Sequence, residues 1–304
     1  MTYTITVVPA STQAGRETIR VLLEDESQPL IRAFYRDLSK APIDFTNHPN
    51  FTGIQGDVST SPDLDFGGSD AVLYIPPPPY YSGETDTAEF ATAAANNVKV
   101  ALDRAPSVKR LLLFSSIGAE HDHGIGILKI NHISDKILQV SAPEVAIVKP
   151  GYFQESWTQP LETTKADPPV FHSPLTPIDH KIPMVSLQDI SRICARKLLD
   201  LSTPLPKRTF VFELFGPRHY STGDVQAAME EVMGKKVNTV LFEKDQLAEY
   251  WTAYGIPNCY LEEMGEFTSA ALPGGVMADK FDGDENTVWG QVELIDVLRK
   301  AYAA

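Results

Sequence analysis

Short, nearly continuous apolar runs alternate with stretches of helical spacing through the first half of the chain. Thr4–Val8, Leu30–Tyr35, residues 71–75, Arg110–Phe114 and residues 145–148 read as strands, and a further short strand is expected just before Gly56-Asp57-Val58. Between them, residues 15–23, the alanine-rich residues 87–104 and residues 129–140 place apolar positions at helical spacing. Strands apolar on both faces and separated by helices predict a parallel sheet covered on both sides, a Rossmann-like doubly wound α/β fold.

The pattern loosens in the second half. The Pro-rich residues 167–183 predict irregular chain wrapping the surface, and residues 187–201 predict a helix with Asp189 in its first turn. Residues 209–214 read as a strand. Ser221, with Asp224 three positions on, forms a capping-box pattern that opens a helix over 225–233. Residues 245–254 and 291–302 complete the predicted helices. The organisation expected is a dinucleotide-binding Rossmann-like domain over 1–155. Residues 156–304 then form mainly a smaller substrate-binding lobe, with segments returning to the sheet. Such a lobe belongs at the carboxyl edge of the strands, where ligands bind in open α/β sheets.

The first strand runs through Pro9-Ala10-Ser11-Thr12-Gln13-Ala14-Gly15 into the first helix. A strand, a tight turn and a helix N-terminus make a place for a pyrophosphate. Pro9 and Thr12 stand where the first two glycines of such a turn are expected, and only Gly15 remains. Pro9 has no N–H, and Thr12 puts a branched side chain where backbone and phosphate approach closely. Ala10, Ser11, Thr12, Gln13 and Gly15 are nonetheless the candidate pyrophosphate residues, through backbone N–H groups and the hydroxyls of Ser11 and Thr12. At the end of the second strand Arg36, followed by Lys40, supplies cations suited to a 2′-phosphate, where a carboxylate would suit a free 2′-OH. Pro76 and Pro77 follow a buried strand and read as a rigid wall beside the cofactor.

Composition narrows the function classes. Hydrophobic residues at 43% and charged residues at 22% are ordinary for a soluble globular enzyme. A formal net charge of -14 excludes the basic footprint of a nucleic-acid binder. Cys194 and Cys259 are too few for a disulfide framework or a cysteine metal site and are expected as free thiols. His121-Asp122-His123 has no downstream ligand motif, so no metal is expected. Apolar runs fall short of the roughly 20 residues that span a bilayer, and the chain opens on a strand instead of a signal peptide. A cytoplasmic protein with a small-molecule partner, and with neither nucleic acid nor membrane, is the expectation.

Further segments fall in a recognisable order. These are Arg36-Asp37-Leu38-Ser39-Lys40, Gly56-Asp57-Val58, Asp70-Ala71-Val72-Leu73-Tyr74-Ile75 and Val108-Lys109-Arg110-Leu111-Leu112-Leu113-Phe114-Ser115-Ser116. Lys149-Pro150-Gly151-Tyr152-Phe153-Gln154-Glu155-Ser156, Pro183-Met184-Val185-Ser186-Leu187-Gln188-Asp189-Ile190 and Phe215-Gly216-Pro217-Arg218-His219-Tyr220-Ser221 follow. With the Pro9 to Gly15 turn, they resemble the NmrA-like group of atypical short-chain dehydrogenases, which includes isoflavone-reductase-like enzymes, fungal pathway reductases and redox-sensing regulators. The resemblance implies NADP(H) as cofactor, with Asp57 and Ser115 also lining its cleft. It further implies a small organic, specialised-metabolite type of substrate reduced at a C=N, C=C or C=O bond.

One departure bears on the chemistry. No tyrosine-x-x-x-lysine pair follows Ser115-Ser116, and Asn131 stands where isoflavone-reductase-like relatives carry a lysine. Lys129 lies two residues earlier, about 200° round a helix. His132, Tyr152, Lys129 and Asn131 are therefore the candidate catalytic residues, His132 because imidazole exchanges protons near neutrality. Glu155 reads as a loop brace, and Trp157, Trp251 and Tyr254 read first as core packing and second as aromatic surface for a substrate pocket. Three readings stay open: a reductase, a non-redox cyclisation, condensation or isomerisation catalyst that keeps the pocket, and an NADP-sensing regulator.

Overall fold

In the computed structural model, which describes residues 2–60, 64–81, 83, 85–278 and 281–303, the apolar runs become a parallel sheet. Strands β1 (Thr4–Val8), β2 (Leu30–Tyr35), β3 (Phe51–Gln55), β4 (Ala71–Tyr74), β5 (Arg110–Phe114) and β6 (Glu144–Pro150) lie in the order β6-β5-β4-β1-β2-β3. Every neighbouring pair among them is parallel. The order reverses between β1 and β4, so the crevice beyond their carboxyl ends is a topological switch point. Ile5, Val7, Leu73 and Leu111 to Leu113 are fully buried, which is why these strands read as unbroken apolar runs instead of alternating ones.

Helices α1 (Gln13–Leu23), the single turn α2 (Ile43–Thr46), α3 (Thr87–Asp103) and α4 (Lys129–Leu138) connect these strands. Asp86 caps α3 by accepting the N–H groups of Ala88 and Glu89. The small side chains Ala94, Ala95 and Ala101 of α3 pack into one core with Val72, Leu111, Leu113, Leu138 and Val145. Arg110 is the exception in this apolar setting. Its buried guanidinium donates to Glu144 (2.9 Å from Nε) and to the carbonyls of Lys197, Asp200 and Thr203, so its charge is paired and its N–H groups engaged.

The chain forms two compact units. The first holds residues 1–119, 129–149 and 190–212, and the second holds 120–128, 150–189 and 213–304. Strands β7 (Tyr152–Phe153) and β8 (Val170–Ser173), with helix α5 (Thr158–Thr163) between them, precede β9 (Ile182–Val185) and α6 (Leu187–Leu199). Then come β10 (Thr209–Phe215), β11 (His219–Tyr220), α7 (Thr222–Met233), β12 (Asn238–Leu241), α8 (Leu247–Ala253), α9 (Leu261–Ala271), β13 (Val288–Trp289) and α10 (Leu294–Ala303). β10 and β13 extend the main sheet to eight strands, while β11-β9-β7 and β12-β8 form two small sheets. Among the described residues no helix is long and apolar enough to cross a membrane.

The doubly wound fold expected from the sequence is the one observed. The Ser221–Asp224 capping box is present in both directions, side chain to backbone at each residue. Residues 167–183 are not wholly irregular, contrary to expectation. β8 lies within them, paired residue for residue with β12 from Val170↔Asn238 to Ser173↔Leu241. A four-residue strand whose partner lies nearly 70 positions away leaves no local signature. Helix α10 starts at Leu294, three residues later than predicted, because Asp189 Oδ2 takes the N–H groups of Gln291 (3.0 Å) and Val292 (2.9 Å).

Candidate functional site

The turn between β1 and α1 shows what its two missing glycines cost. Thr12 is the N-cap of α1: its backbone is extended and its Oγ1 accepts the Gly15 N–H at 3.0 Å. Its own hydroxyl hydrogen goes back to the Pro9 carbonyl at 3.4 Å. The Thr12 hydroxyl and the Gly15 N–H, both expected as phosphate donors, are thus engaged inside the turn. A Cβ at Gly15 would lie 2.7 Å from Thr12 Oγ1 and 3.0 Å from the Pro9 carbonyl oxygen, so glycine is kept here by the turn's own packing. The N–H groups of Gln13 and Ala14, in the first turn of α1, have no partner among the described residues. With the positive end of the helix dipole they are the donors left for an anion.

Beside this turn lies a cavity of about 120 Å³. Ser11, Thr12, Arg36, Asp57 and Pro77 line it, and Val8, Val58 and Phe90 give it apolar walls. Val58 and Phe90 carry no signal in the sequence beyond that of ordinary core positions. Asp57 is held in place by the Ser59 N–H (2.9 Å) and hydroxyl (2.7 Å) on its Oδ1. The volume is well below the roughly 300–1,000 Å³ of a whole ligand pocket, so it suits one end of a dinucleotide. An apolar slot with a guanidinium and a helix N-terminus at its edge fits an adenosine bearing a 2′-phosphate.

The remaining candidates stand outside that lining. Ala10 is fully buried and its N–H donates to the Phe34 carbonyl at 2.8 Å, tying the turn to β2. Gln13 is exposed on α1, Gly15 is buried in it, and Pro76 is buried at the end of β4. Lys40 is exposed at the end of a short turn, Leu38–Lys40, capped by Asp37. Ser115 is buried, with its hydroxyl donating to Asp135 Oδ2 at 2.7 Å.

Three catalytic candidates share α4. Asn131 is buried and its amide donates to the Phe114 carbonyl at 3.4 Å, so it braces the end of β5. His132 is half-buried, with Nδ1 2.9 Å from the Ala119 carbonyl oxygen. A carbonyl only accepts, so Nδ1 carries the hydrogen, and Nε2 of the neutral ring is left as an acceptor. Lys129 is half-buried at the first position of the helix.

Tyr152 stands on β7 in the second unit, its ring 5.6 Å from that of Trp157. Removal from water, opposed by a hydrogen bond with Ser156 and assisted by Tyr254, pushes its phenol up to about 12. Tyr152 is therefore a proton-bearing hydrogen-bond donor at neutral pH. Tyr254 stacks on Tyr250 with ring centroids 4.6 Å apart and remains partly exposed. Trp157 is a core residue, the first of the two readings its sequence allows: it is fully buried, with its N–H on the sulfur of Met184 at 3.3 Å. Trp251 donates to the Thr268 hydroxyl at 3.0 Å, fastening α8 to α9. Glu155 takes the Leu187 N–H on both oxygens, at 2.9 Å each, and is the brace the sequence suggests.

A parallel sheet with a reversed strand order, and a helix N-terminus opening on a slot at its carboxyl edge, define a Rossmann-like α/β protein. The chain belongs to the NmrA-like family, whose model matches residues 1–272. It is 24% identical over 274 residues to the NAD(P)H azoreductase of Xenophilus azovorans, covering 88% of this chain and 87% of that protein. Solved structures that share its fold include two bound to nucleotide. One is the NADPH-dependent quinone oxidoreductase QOR2 of Escherichia coli complexed with NADPH (TM-score 0.75, 19% identity, 98% of this chain and 99% of that one). The other is the triphenylmethane reductase of Citrobacter sp. complexed with NADP(H) (TM-score 0.74, 16% identity, 98% of this chain and 100% of that one).

Proposed function

We propose that the chain is an NADP(H)-dependent oxidoreductase that reduces a small organic acceptor at a C=N, C=C or C=O bond, of the kind found in specialised metabolites. The observation that carries the reading is the slot where Arg36 meets the N-terminus of α1. Arg36, with Lys40 nearby in sequence, holds the 2′-phosphate. Ser11 and the N–H groups of Gln13 and Ala14 hold the pyrophosphate, in place of the Thr12 hydroxyl and the Gly15 N–H. Asp57, Pro76, Pro77 and Ser115 belong to the walls of the same cleft. The names of one sequence relative and two structural neighbours, an azoreductase, a quinone oxidoreductase and a triphenylmethane reductase, support acceptors with conjugated rings.

Bound NADPH supplies a hydride. The chain's own residues then have a proton to manage. Tyr152 keeps its phenolic hydrogen and donates it as a hydrogen bond to the acceptor's heteroatom as negative charge develops there. The proton the acceptor gains comes from water, and the alternative carrier for it is His132 Nε2, with the ring orientation set by the Ala119 carbonyl.

The test is a fluorescence titration with NADPH and NADH, followed by turnover with a quinone and an azo dye. Wild-type protein prefers NADPH. In the double variant Arg36→Ala, Lys40→Ala that preference falls by about two orders of magnitude, as expected when charge-assisted bonds to phosphate are lost. An unchanged preference overturns the assignment.

One observation favours a second reading. Asn131, where the sequence resemblance sets a lysine in isoflavone-reductase-like proteins, is tied to the Phe114 carbonyl instead of offering an acid. A catalyst that orients its substrate without hydride transfer follows if NADPH binds tightly and no acceptor consumes it.

A further inference from the structure

We infer that Tyr254, together with Tyr152, forms a two-donor site in the second unit for the oxygen anion of an aromatic ligand, a phenolate. Both tyrosines belong to that unit, Tyr152 on β7 and Tyr254 at the C-terminal end of α8.

Aromatic rings build the place. Tyr250 and Tyr254 are four residues apart and share one face at the end of α8, with ring centroids 4.6 Å apart and planes 32° from parallel. Phe242 meets the Tyr250 ring edge-on at 5.3 Å, and Trp251 does so at 5.1 Å. Trp251 also reaches Tyr254 at 6.0 Å, and its bond to Thr268 holds the indole still. The buried Trp157 backs Tyr152 from the core. Tyr250 is buried, whereas Tyr152, Trp251 and Tyr254 keep part of their surface open.

Hydrogen-bond accounting leaves two donors in this setting. Burial pushes the phenols of Tyr250 and Tyr254 up, and the hydrogen bond between them raises Tyr250 further while holding Tyr254 down. Tyr250 is therefore the donor of that bond and Tyr254 its acceptor. At Tyr152 burial raises the phenol and the bond with Ser156 opposes it, so Ser156 donates and Tyr152 accepts. Tyr152 and Tyr254 each accept one bond and keep their own O–H hydrogen, which no described residue takes. Neither oxygen is sealed from solvent. Accepting a bond also makes each a better donor, because linked hydrogen bonds polarise one another.

The phenols are neighbours: charge on Tyr254 acts on Tyr152, and charge on Tyr152 acts on Tyr250. No carboxylate acts on any of the three among the described residues, although the chain carries a net charge of -14. Neutral donors away from like charge, partly removed from water, form their strongest bonds to an oxygen anion. The surrounding rings select an anion carried on an aromatic body. In the redox reading this oxygen is the one on which negative charge develops, with Tyr254 as a second donor and Tyr250 as its positioning residue. Binding needs neither nucleotide nor turnover, so the site stands or falls separately.

The test is an absorbance titration of the full chain, free of nucleotide, with 4-nitrophenolate at pH 8. Hydrogen bonds to its oxygen move its absorption band to shorter wavelength. 4-Nitroanisole keeps the ring and loses the anion. The phenolate shows the band shift and binds about ten-fold or more tightly than the anisole. Tyr254→Phe and Tyr152→Phe each lose about ten-fold in affinity and much of the shift, and Tyr250→Phe loses a few-fold. All three variants keep their rings, and the band shift reads the donors themselves, which a merely structural role would not move. Equal affinity for the two compounds, or full affinity and band shift in Tyr254→Phe, overturns the inference. Quinone turnover without 4-nitrophenolate binding overturns it alone, whereas 4-nitrophenolate binding without NADPH consumption supports it and counts against the redox reading.

Discussion

Thr12 has two jobs that pull apart. As N-cap it stabilises α1, and by accepting the Gly15 N–H it withdraws one donor from the anion site. Replacing it by glycine removes the branched side chain and releases that N–H. Substituting a capping residue by glycine costs only a few tenths of a kcal/mol, whereas alanine costs about 1 kcal/mol. Thr12→Gly is therefore expected to tighten NADPH binding several-fold, about one charge-assisted hydrogen bond's worth, with almost no shift of the urea midpoint. Thr12→Ala is expected to lower the midpoint while freeing the same N–H. Fluorescence titration and urea unfolding on both variants check the pair, and weaker nucleotide binding in Thr12→Gly defeats it. The sequence shows that Thr12 intrudes on a glycine position. Its cap is invisible there, because a hydroxyl's partner depends on the backbone angle at which the turn enters the helix.

At the scale of elements, Asp189 joins the start of α6 to the approach to α10. Its Oδ2 accepts the N–H groups of Gln291 and Val292 and lies 3.1 Å from the Ser186 hydroxyl. Gly290 lies so close that a Cβ there would stand 2.5 Å from the same oxygen. Asp189→Ala leaves two backbone donors without partners and is expected to cost about 2–4 kcal/mol, the range for losing hydrogen bonds to a buried charged acceptor. A fall in the urea midpoint at unchanged slope checks this, and an effect under about 1 kcal/mol refutes it. In the sequence Asp189 looks like ordinary acid in a first helical turn. Its real partners lie 102 and 103 positions away. Helices with a clear apolar stripe and strands buried on both faces were legible because their pattern is local. β8 and β12 were not, since each is short and defined by the other.

For the molecule as a whole, buried phenols set a limit on the alkaline side. Burial pushes the phenols of Tyr35 and Tyr152 up to about 12, and those of Tyr74, Tyr220 and Tyr250 upward as well. In the unfolded chain a tyrosine loses its proton near 10. Between those values the folded state holds protons that the unfolded state has released, so stability falls as pH rises. Urea unfolding is expected to show a constant midpoint from pH 8 to about 9.5 and a steep loss above pH 10. A flat profile to pH 11.5 contradicts it.

Periodicity alone determined the alternation of strand and helix, the parallel sheet, the Pro9 to Gly15 turn at its edge, and Arg36 one residue beyond β2. These follow from which face of each segment is apolar, a property written in neighbouring residues. Tertiary structure alone decided which donors in that turn remain for an anion, that Asn131 braces β5, and that His132 carries its hydrogen on Nδ1. Partnership and empty volume arise only where segments far apart in sequence meet, and no local pattern records how closely they do so.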